Sequence, residues 1–368
     1  MEHNTDTTNH IHKPIRVLII DDSAFIRQFL TGILKEAGDF QVIGAVGDPL
    51  KAMENNLHTE ADVITLDLEM PHMDGLEFLR LLMQSQPKPV VMISSWTREN
   101  SELALKALAL GAVDFVTKPT LGLREGMNNL KAEIIGKIRA AASARIRTSA
   151  LPPQNPAGED LSSSLPPPVA SKLEETTDKV IAIGASTGGT VALTEIFKSL
   201  HPDVPGLILI QHLPAMFTPS FAASLNNAGR VRVKEANDGD QIMPGHALLV
   251  PGGKNLAVKR SGAKYFVELG PPFKGSIYNP NINHTFFSVA RAAGKNAMGI
   301  ILTGMGDDGA EGLKAIRESG GYTIAQDKKT SVIYGMPQKA WENGAAVKQV
   351  PLEEVAHEIH LWAGLVKR

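Results

Sequence analysis

The chain has 368 residues, enough for two domains. Its 43% hydrophobic and 21% charged content is that of an ordinary globular protein, and a formal charge of −2 argues against a general nucleic-acid binder. The absence of cysteine excludes disulfides, thiol catalysis and cysteine-rich zinc sites, and no apolar run approaches membrane-spanning length. The first thirteen residues are polar and carry no signal-peptide pattern, which points to a cytoplasmic protein without membrane insertion. Charge is shared unevenly: residues 1–140 hold 14 Lys+Arg against 19 Asp+Glu, residues 179–368 hold 20 against 15. Opposite signs favour docking between the halves, though values this small are equally compatible with chance.

From residue 14 strand-like and helix-like patterns alternate. Arg16–Ile20 reads as a buried strand, and Phe25, Phe29, Leu30, Ile33 and Leu34 space out along one helical face. Further strands are expected at Gln41–Ala45, Asp62–Leu66, Pro89–Ile93 and Val113–Val116, with helices at Leu76–Leu82 and Leu103–Leu110. Five β–α units imply a doubly wound parallel α/β sheet that binds ligands beyond the carboxyl ends of its strands. Polar residues fall there. Asp21 and Asp22 close the first strand, Asp67 the third and Ser94 the fourth, and Lys118 follows the fifth. Three convergent carboxylates suit a hard divalent cation such as Mg²⁺, and a hydroxyl with an ammonium across the rim suits a phosphoryl group. Each of these residues taken singly is equally well read as an exposed loop charge.

This segment resembles the response-regulator receiver domain, a flavodoxin-like fold, through Ile20-Asp21-Asp22-Ser23, Leu66–Gly75, Ile93-Ser94-Ser95 and Thr117-Lys118-Pro119. The resemblance implies that Asp67 accepts a phosphoryl group from a histidine kinase. Asp21, Asp22, Asp67 and the backbone carbonyl of Glu69 would surround Mg²⁺. Ser94 and Lys118 would sense the phosphoryl oxygens, Phe115 would be the aromatic that changes rotamer, and a cis peptide would precede Pro119. Residues 14–140 are accordingly expected to form the receiver domain. Residues 141–178 follow as a linker, since LPPQNPAGEDLSSSLPPPVASKLEETTD is rich in Pro, Ser and acidic residues and has no core period.

The remaining segment, 179–368, opens on KVIAIGASTGGTVALTEIF, a strand, a Gly-rich turn and a helix with Ser186 at the bend. The pattern matches G-x-S-x-G, in which a strained turn exposes a serine oxygen. It does not fit G-x-G-x-x-G, yet a plain Gly-rich βα turn remains an open reading. Two more strands, Gly206–Ile210 and Asn296–Leu302, end in Gln211-His212-Leu213-Pro214 and Thr303–Gly309. Ser186, His212 and Asp308 therefore lie just past strand ends on one sheet edge. A hydroxyl, an imidazole and a carboxylate so placed are what acyl transfer needs, with His212 as base and Asp308 fixing its tautomer. Backbone N–H groups of Gly304-Met305-Gly306 and near Thr187 are candidates for an oxyanion hole. A structural histidine and an Asp-Gly turn are the plain alternatives for His212 and Asp308. Between these strands, short runs from Val231 to Leu269 separated by Pro-Gly, Gly-Gly and Ser-Gly turns read as an antiparallel hairpin insertion. Tyr322–Gln326 and Ala345–Lys348 read as further strands, and Leu352–Val366 as a closing amphipathic helix.

This half resembles the catalytic domain of the chemotaxis methylesterases through Ile183–Gly189, Gln211–Pro214, Pro251-Gly252, Leu302–Gly309, Ala325-Gln326-Asp327 and Tyr334–Pro337. The expected architecture is thus a flavodoxin-like receiver ahead of a larger, doubly wound, mostly parallel α/β methylesterase domain with an antiparallel hairpin insertion. The resemblance implies a two-component chemotaxis protein activated by phosphorylation and restrained by its unphosphorylated receiver. It would hydrolyse glutamyl methyl esters on the cytoplasmic helices of chemoreceptors, without a cofactor for the ester reaction, and some members also deamidate receptor glutamines. Ser186, His212 and Asp308 match the family triad, and Thr187 and Met305 match residues lining the site. One departure stands out: many relatives read Pro-Ser-Val-Asp where this chain has Pro280-Asn281-Ile282-Asn283. A phosphorylation-dependent adaptor on a hydrolase fold is the alternative function, and it has no need of an intact triad.

Overall fold

The computed structural model describes residues 13–71, 73–95, 97–118, 127–146, 178–274, 276 and 278–367. Residues 147–177 of the linker expected at 141–178 lie outside them, as does the bond to Pro119. The described residues divide into two compact units, one within Met1–Ser95 and Asp114–Ala144, the other within Trp96–Val113 and Arg145–Arg368. No helix among them is long and apolar enough to cross a membrane.

The amino-terminal sheet has five strands: β1 (Ile15–Ile20), β2 (Phe40–Val46), β3 (Val63–Asp67), β4 (Val90–Ser94) and β5 (Asp114–Thr117), in the order β2-β1-β3-β4-β5 and all parallel. The helices that alternate with them are α1 (Ala24–Ala37), α2 (Pro49–Glu54), α3 (Leu57–Glu60), α4 (Gly75–Ser85), α5 (Arg98–Ala109) and α6 (Met127–Ala142). Continuous apolar runs make the central strands: Val17 to Ile20 and Val63, Ile64 and Leu66 are all fully buried, as expected of a parallel sheet covered on both faces. Helix starts are set by side chains. Ser23 accepts the Ile26 N–H to begin α1, and Asp74 accepts the Glu77 N–H to begin α4.

The carboxy-terminal unit carries β6 (Val180–Ala185), α7 (Gly189–Ser199), β7 (Gly206–Gln211), α8 (Thr218–Ala228), β8 (Arg232–Glu235), β9 (Gln241–Ile242), β10 (His246–Leu249), β11 (Asn255–Ser261), β12 (Lys264–Gly270), α9 (Ile282–Ala293), β13 (Ala297–Ile301), α10 (Ala310–Glu318), β14 (Tyr322–Gln326), α11 (Met336–Glu342), β15 (Lys348–Val350) and α12 (Val355–Ala363). Its main sheet runs β15-β14-β13-β6-β7-β10-β8. A core of apolar side chains from β6, β7, β13 and α9, including Val180, Ile208, Ile210, Phe286, Val289 and Ile301, fills the space beside it.

One expectation is corrected here. Only β11, β12 and the short β9 form the antiparallel sheet. The runs at Val231–Glu235 and Ala247–Val250, read as parts of the same insertion, instead give β8 and β10, which pair in parallel with each other, with β10 also parallel to β7. Their short length and the intervening Pro-Gly turn imitate a hairpin; burial decides otherwise, since Ala247, Leu248 and Leu249 have almost no exposed surface and extend the central sheet. The carboxy-terminal helix also stops earlier than Val366, at Ala363, where Gly364 takes up a left-handed φ of 83°.

Candidate active site and phosphoryl-acceptor site

Strand order builds the carboxy-terminal site. β13 lies beside β6 and β6 beside β7, so the loops leaving these three neighbours open on one edge. Ser186 follows β6, His212 follows β7, and Asp308 sits in the loop between β13 and α10. The three meet there. Ser186 Oγ is 3.1 Å from His212 Nδ1, and His212 Nε2 is 2.9 Å from Asp308 Oδ2. Only 9% of the imidazole and 3% of the carboxylate side chain are exposed.

Local geometry holds each group. The turn at Ser186 is closed by the Gly189 N–H to the Ser186 carbonyl at 2.7 Å, and the Gln211 side chain donates to the same carbonyl at 2.8 Å. Gly188 starts α7 at φ 79°, a left-handed conformation that a β-carbon disfavours. At Gly304 a β-carbon would lie 2.3 Å from Met336 Sδ and 2.7 Å from the Ser186 β-carbon. Glycine there lets the β13 loop close on the serine. Thr303 ties that loop down: its N–H donates to Gln326 Oε1 at 2.8 Å, and its hydroxyl bonds the carbonyl of Thr187 at 3.0 Å.

Asp308 is held at the start of α9. Its Oδ2 accepts the Ile282 N–H at 2.8 Å and its Oδ1 the Asn283 N–H at 3.0 Å. Burial pushes the carboxyl toward higher pKa, but the His212 hydrogen bond, the imidazole beside it and these two N–H donors outweigh it and leave it below the usual carboxylate range. The carboxylate is thus kept ionised beside the imidazole. Asn283, the departure in Pro280–Asn283, also accepts the Gly312 N–H at 2.7 Å through Oδ1 and so links α9 to α10.

Two points differ from expectation. The Gly304 N–H is committed to the Ile333 carbonyl at 3.0 Å, so it is withdrawn from the oxyanion donors proposed for Gly304–Gly306. Of that trio, Met305 and Gly306 remain. Tyr278 was not anticipated at all: its ring stacks on His212 with centroids 4.3 Å apart and planes at 7°. It comes from the segment ahead of α9, which has no periodic pattern to mark it. Thr187 is buried and Met305 half-buried at the site's border.

The amino-terminal site lies at the ends of β1 and β3. Asp21, Asp22 and Asp67 each turn a carboxylate oxygen to within 4.8 Å of the others, an arrangement able to hold a metal ion. Lys118 Nζ is 2.6 Å from Asp67 Oδ2 and 3.1 Å from Asp21 Oδ2. The Asp67 carboxyl is pushed up to about 6, mainly by burial and further by the Asp21 charge, against the pull of Lys118. Burial raises Asp21 likewise. Burial would lower Lys118, but Asp67 and Asp21 outweigh it and raise it. Two buried carboxylates raised in this way have a deficit of positive charge that a divalent cation would fill, so the residues present fit Mg²⁺. Glu69 is exposed and its N–H donates to Asp67 Oδ1 at 3.3 Å. Ser94 is buried, with its hydroxyl donating to the Ser95 carbonyl at 3.2 Å. Phe115 is buried in β5 beneath the Lys137 ammonium, 5.2 Å from the ring centroid, and its carbonyl accepts from that ammonium.

Comparison with known proteins covers both parts of the chain. Residues 181–359 match the family model described as CheB methylesterase, and residues 17–130 match the response regulator receiver domain. A Geobacter metallireducens protein named protein-glutamate methylesterase/protein-glutamine glutaminase 1 is 46% identical, over 95% of this chain and 96% of its own length. The Thermotoga maritima CheB methylesterase catalytic domain is similar at 34% identity, covering 50% of this chain and 97% of that one, with a TM-score of 0.48. The Thermotoga maritima CheB response regulator domain is similar at 41% identity, covering 36% of this chain and 98% of that one, with a TM-score of 0.33. With a receiver ahead of a methylesterase, and matched over most of its length by such relatives, the chain belongs to the protein-glutamate methylesterase/protein-glutamine glutaminase family of response-regulator hydrolases.

Proposed function

We propose that the chain hydrolyses glutamyl γ-methyl esters on the cytoplasmic helices of chemoreceptors, with Ser186 as nucleophile, His212 as general base and Asp308 as the group that orients and charge-stabilises the imidazole. The observation that carries this reading is the continuous hydrogen-bonded row from Ser186 Oγ through the His212 ring to Asp308 Oδ2. Because Asp308 is ionised and accepts, Nε2 carries its proton and Nδ1 is left as the acceptor facing the serine. Ser186 Oγ attacks the ester carbonyl as its proton passes to Nδ1, and N–H groups at Met305 and near Thr187 bear on the oxyanion. Collapse breaks the bond to the methoxy group, which leaves as methanol with the proton from Nδ1. Water, deprotonated by the same nitrogen, then frees the glutamate and restores Ser186. On a glutamine side chain the same steps release ammonia, which is the glutaminase half of the relatives' name.

Phosphorylation at Asp67 by a histidine kinase is proposed as the control. Asp21, Asp22, Asp67 and the Glu69 carbonyl would hold Mg²⁺, which supplies charge neutralisation for the incoming phosphoryl group. Lys118 already lies on Asp67 Oδ2, and Ser94 ends the neighbouring strand. The phosphoryl group would draw on both, and Phe115 in β5 is the aromatic whose packing would follow. The three segments proposed are a receiver at 14–140, a linker at 141–178 and a catalytic domain at 179–368, with the unphosphorylated receiver restraining the esterase. The test is methanol release from methylated receptor with and without phosphodonor. Stimulation that disappears in Asp67→Asn supports the scheme, and undiminished stimulation in that variant refutes the control by Asp67.

A further inference from the structure

We infer that Tyr278 is a positioning residue for His212, acting through the face of its ring; this rests on the reading of Ser186 and His212 as nucleophile and base. The geometry is specific. The phenol ring lies flat on the imidazole at 4.3 Å between centroids and 7° between planes, and its oxygen reaches the loop that carries Asp308, since a β-carbon at Gly306 would lie 3.0 Å from Tyr278 Oη. The ring therefore bridges the base and the loop of its orienting acid.

Two physical effects follow from that contact. A parallel plate against one face of the imidazole blocks rotation of the ring out of line with Ser186 Oγ and Asp308 Oδ2, so the near-attack arrangement costs less to reach. When Nδ1 takes the serine proton the ring becomes a cation, and the electron-rich face of an aromatic ring attracts a cation within about 6 Å of its centroid. That attraction is stronger for the imidazolium formed during attack than for the neutral imidazole before it, so it lowers the barrier. A flat aliphatic surface would supply packing but neither the electrostatics nor the same rotational stop.

The test uses the full-length protein and two readouts. One is the second-order rate at which a small fluorophosphonate labels Ser186, which depends on the base but not on the receptor. The other is kcat and KM for methyl-ester hydrolysis on methylated receptor. Tyr278→Leu should slow labelling and kcat by about tenfold each, with KM within about twofold of wild type, while Tyr278→Phe should keep both within about threefold. If Tyr278→Leu melts at lower temperature than wild type, Tyr278→Met and Tyr278→Trp carry the same comparison, with Trp retaining the rate and Met losing it. A Leu or Met variant that folds and labels at the wild-type rate overturns the inference. So does a Phe variant as slow as Leu, which would assign the role to the hydroxyl, or a change confined to KM, which would make Tyr278 a substrate contact. Rapid wild-type labelling without any methanol release would instead count against the proposed substrate, leaving the role of Tyr278 decided by labelling alone.

Discussion

Asp308 and Ile282 are joined by a backbone hydrogen bond of 2.8 Å that lands on the same carboxylate oxygen that faces His212. The first N–H groups of α9, unpaired within the helix, thus serve to anchor the acid of the triad. Asp308→Asn would replace an acceptor by an amide that must turn one NH₂ toward a donor. It should lower kcat by about 10³- to 10⁴-fold and also lower the thermal midpoint of the catalytic unit, because a buried charge bonded to two N–H groups is lost. Methanol release and a melting curve on the same preparation check both effects.

The depressed Asp308 carboxyl has a stability consequence with a definite sign. A carboxylate whose folded pKa lies below its unfolded value adds stability above the unfolded value of about 3.9 and loses it as pH falls through the lower folded value. Urea unfolding of the catalytic unit should therefore lose midpoint as pH falls below about 4. In Asp308→Asn that part of the loss should be missing. Equal pH dependence in the two proteins would contradict the anchoring.

Asp67 has the opposite sign. Its carboxyl at about 6 exceeds the unfolded value, so the folded receiver binds the proton more tightly and Asp67 costs stability as pH rises through 3.9 to about 6. Asp67→Asn should raise the receiver's melting midpoint at pH 7.5 in the absence of divalent cations. Mg²⁺ should stabilise the wild type at that pH, do so less at pH 5.5, and do little for Asp67→Asn. Calorimetric melts with EDTA or Mg²⁺ give all of these, and EDTA should also abolish phosphodonor stimulation.

Asn283 offers an acceptor to the Gly312 N–H at 2.7 Å, a role an aspartate could fill as well. Asn283→Asp should then be nearly silent in stability and kcat. Asn283→Ala should cost about 1–2 kcal/mol by leaving that donor unpaired, measured as a shift in the urea midpoint.

Gly304→Ala tests the close approach of the β13 loop to the serine. A methyl group 2.7 Å from the Ser186 β-carbon must displace one or the other, and a displacement of this size at reacting atoms costs on the order of 10²-fold. Methanol release should fall by that factor while the receiver still binds Mg²⁺ normally.

Much of this was legible in the residues. Val17–Ile20 and Ile181–Ile183 are apolar runs that could only be buried strands, and the polar residues that follow each run marked the binding edge of each sheet. Ser186, His212 and Asp308 were found because topology, not distance in the chain, puts the ends of adjacent parallel strands together. β8 and β10 were misread because a four-residue buried strand has too short a run to reveal its partner, and parallel pairing is invisible to local turn signals. The loss of Gly304 as an oxyanion donor depends on its bond to Ile333, twenty-nine positions along. Tyr278 stayed hidden for a similar reason: an aromatic residue in an aperiodic loop gains meaning only from the ring it lands on.

The central claim is that Ser186, activated by His212 and Asp308, is the nucleophile, and methanol release from methylated receptor by Ser186→Ala tests it most directly. The variant should fold and melt like wild type yet release methanol at no more than about one thousandth of the wild-type rate. A folded Ser186→Ala protein that keeps most of the activity would contradict the account.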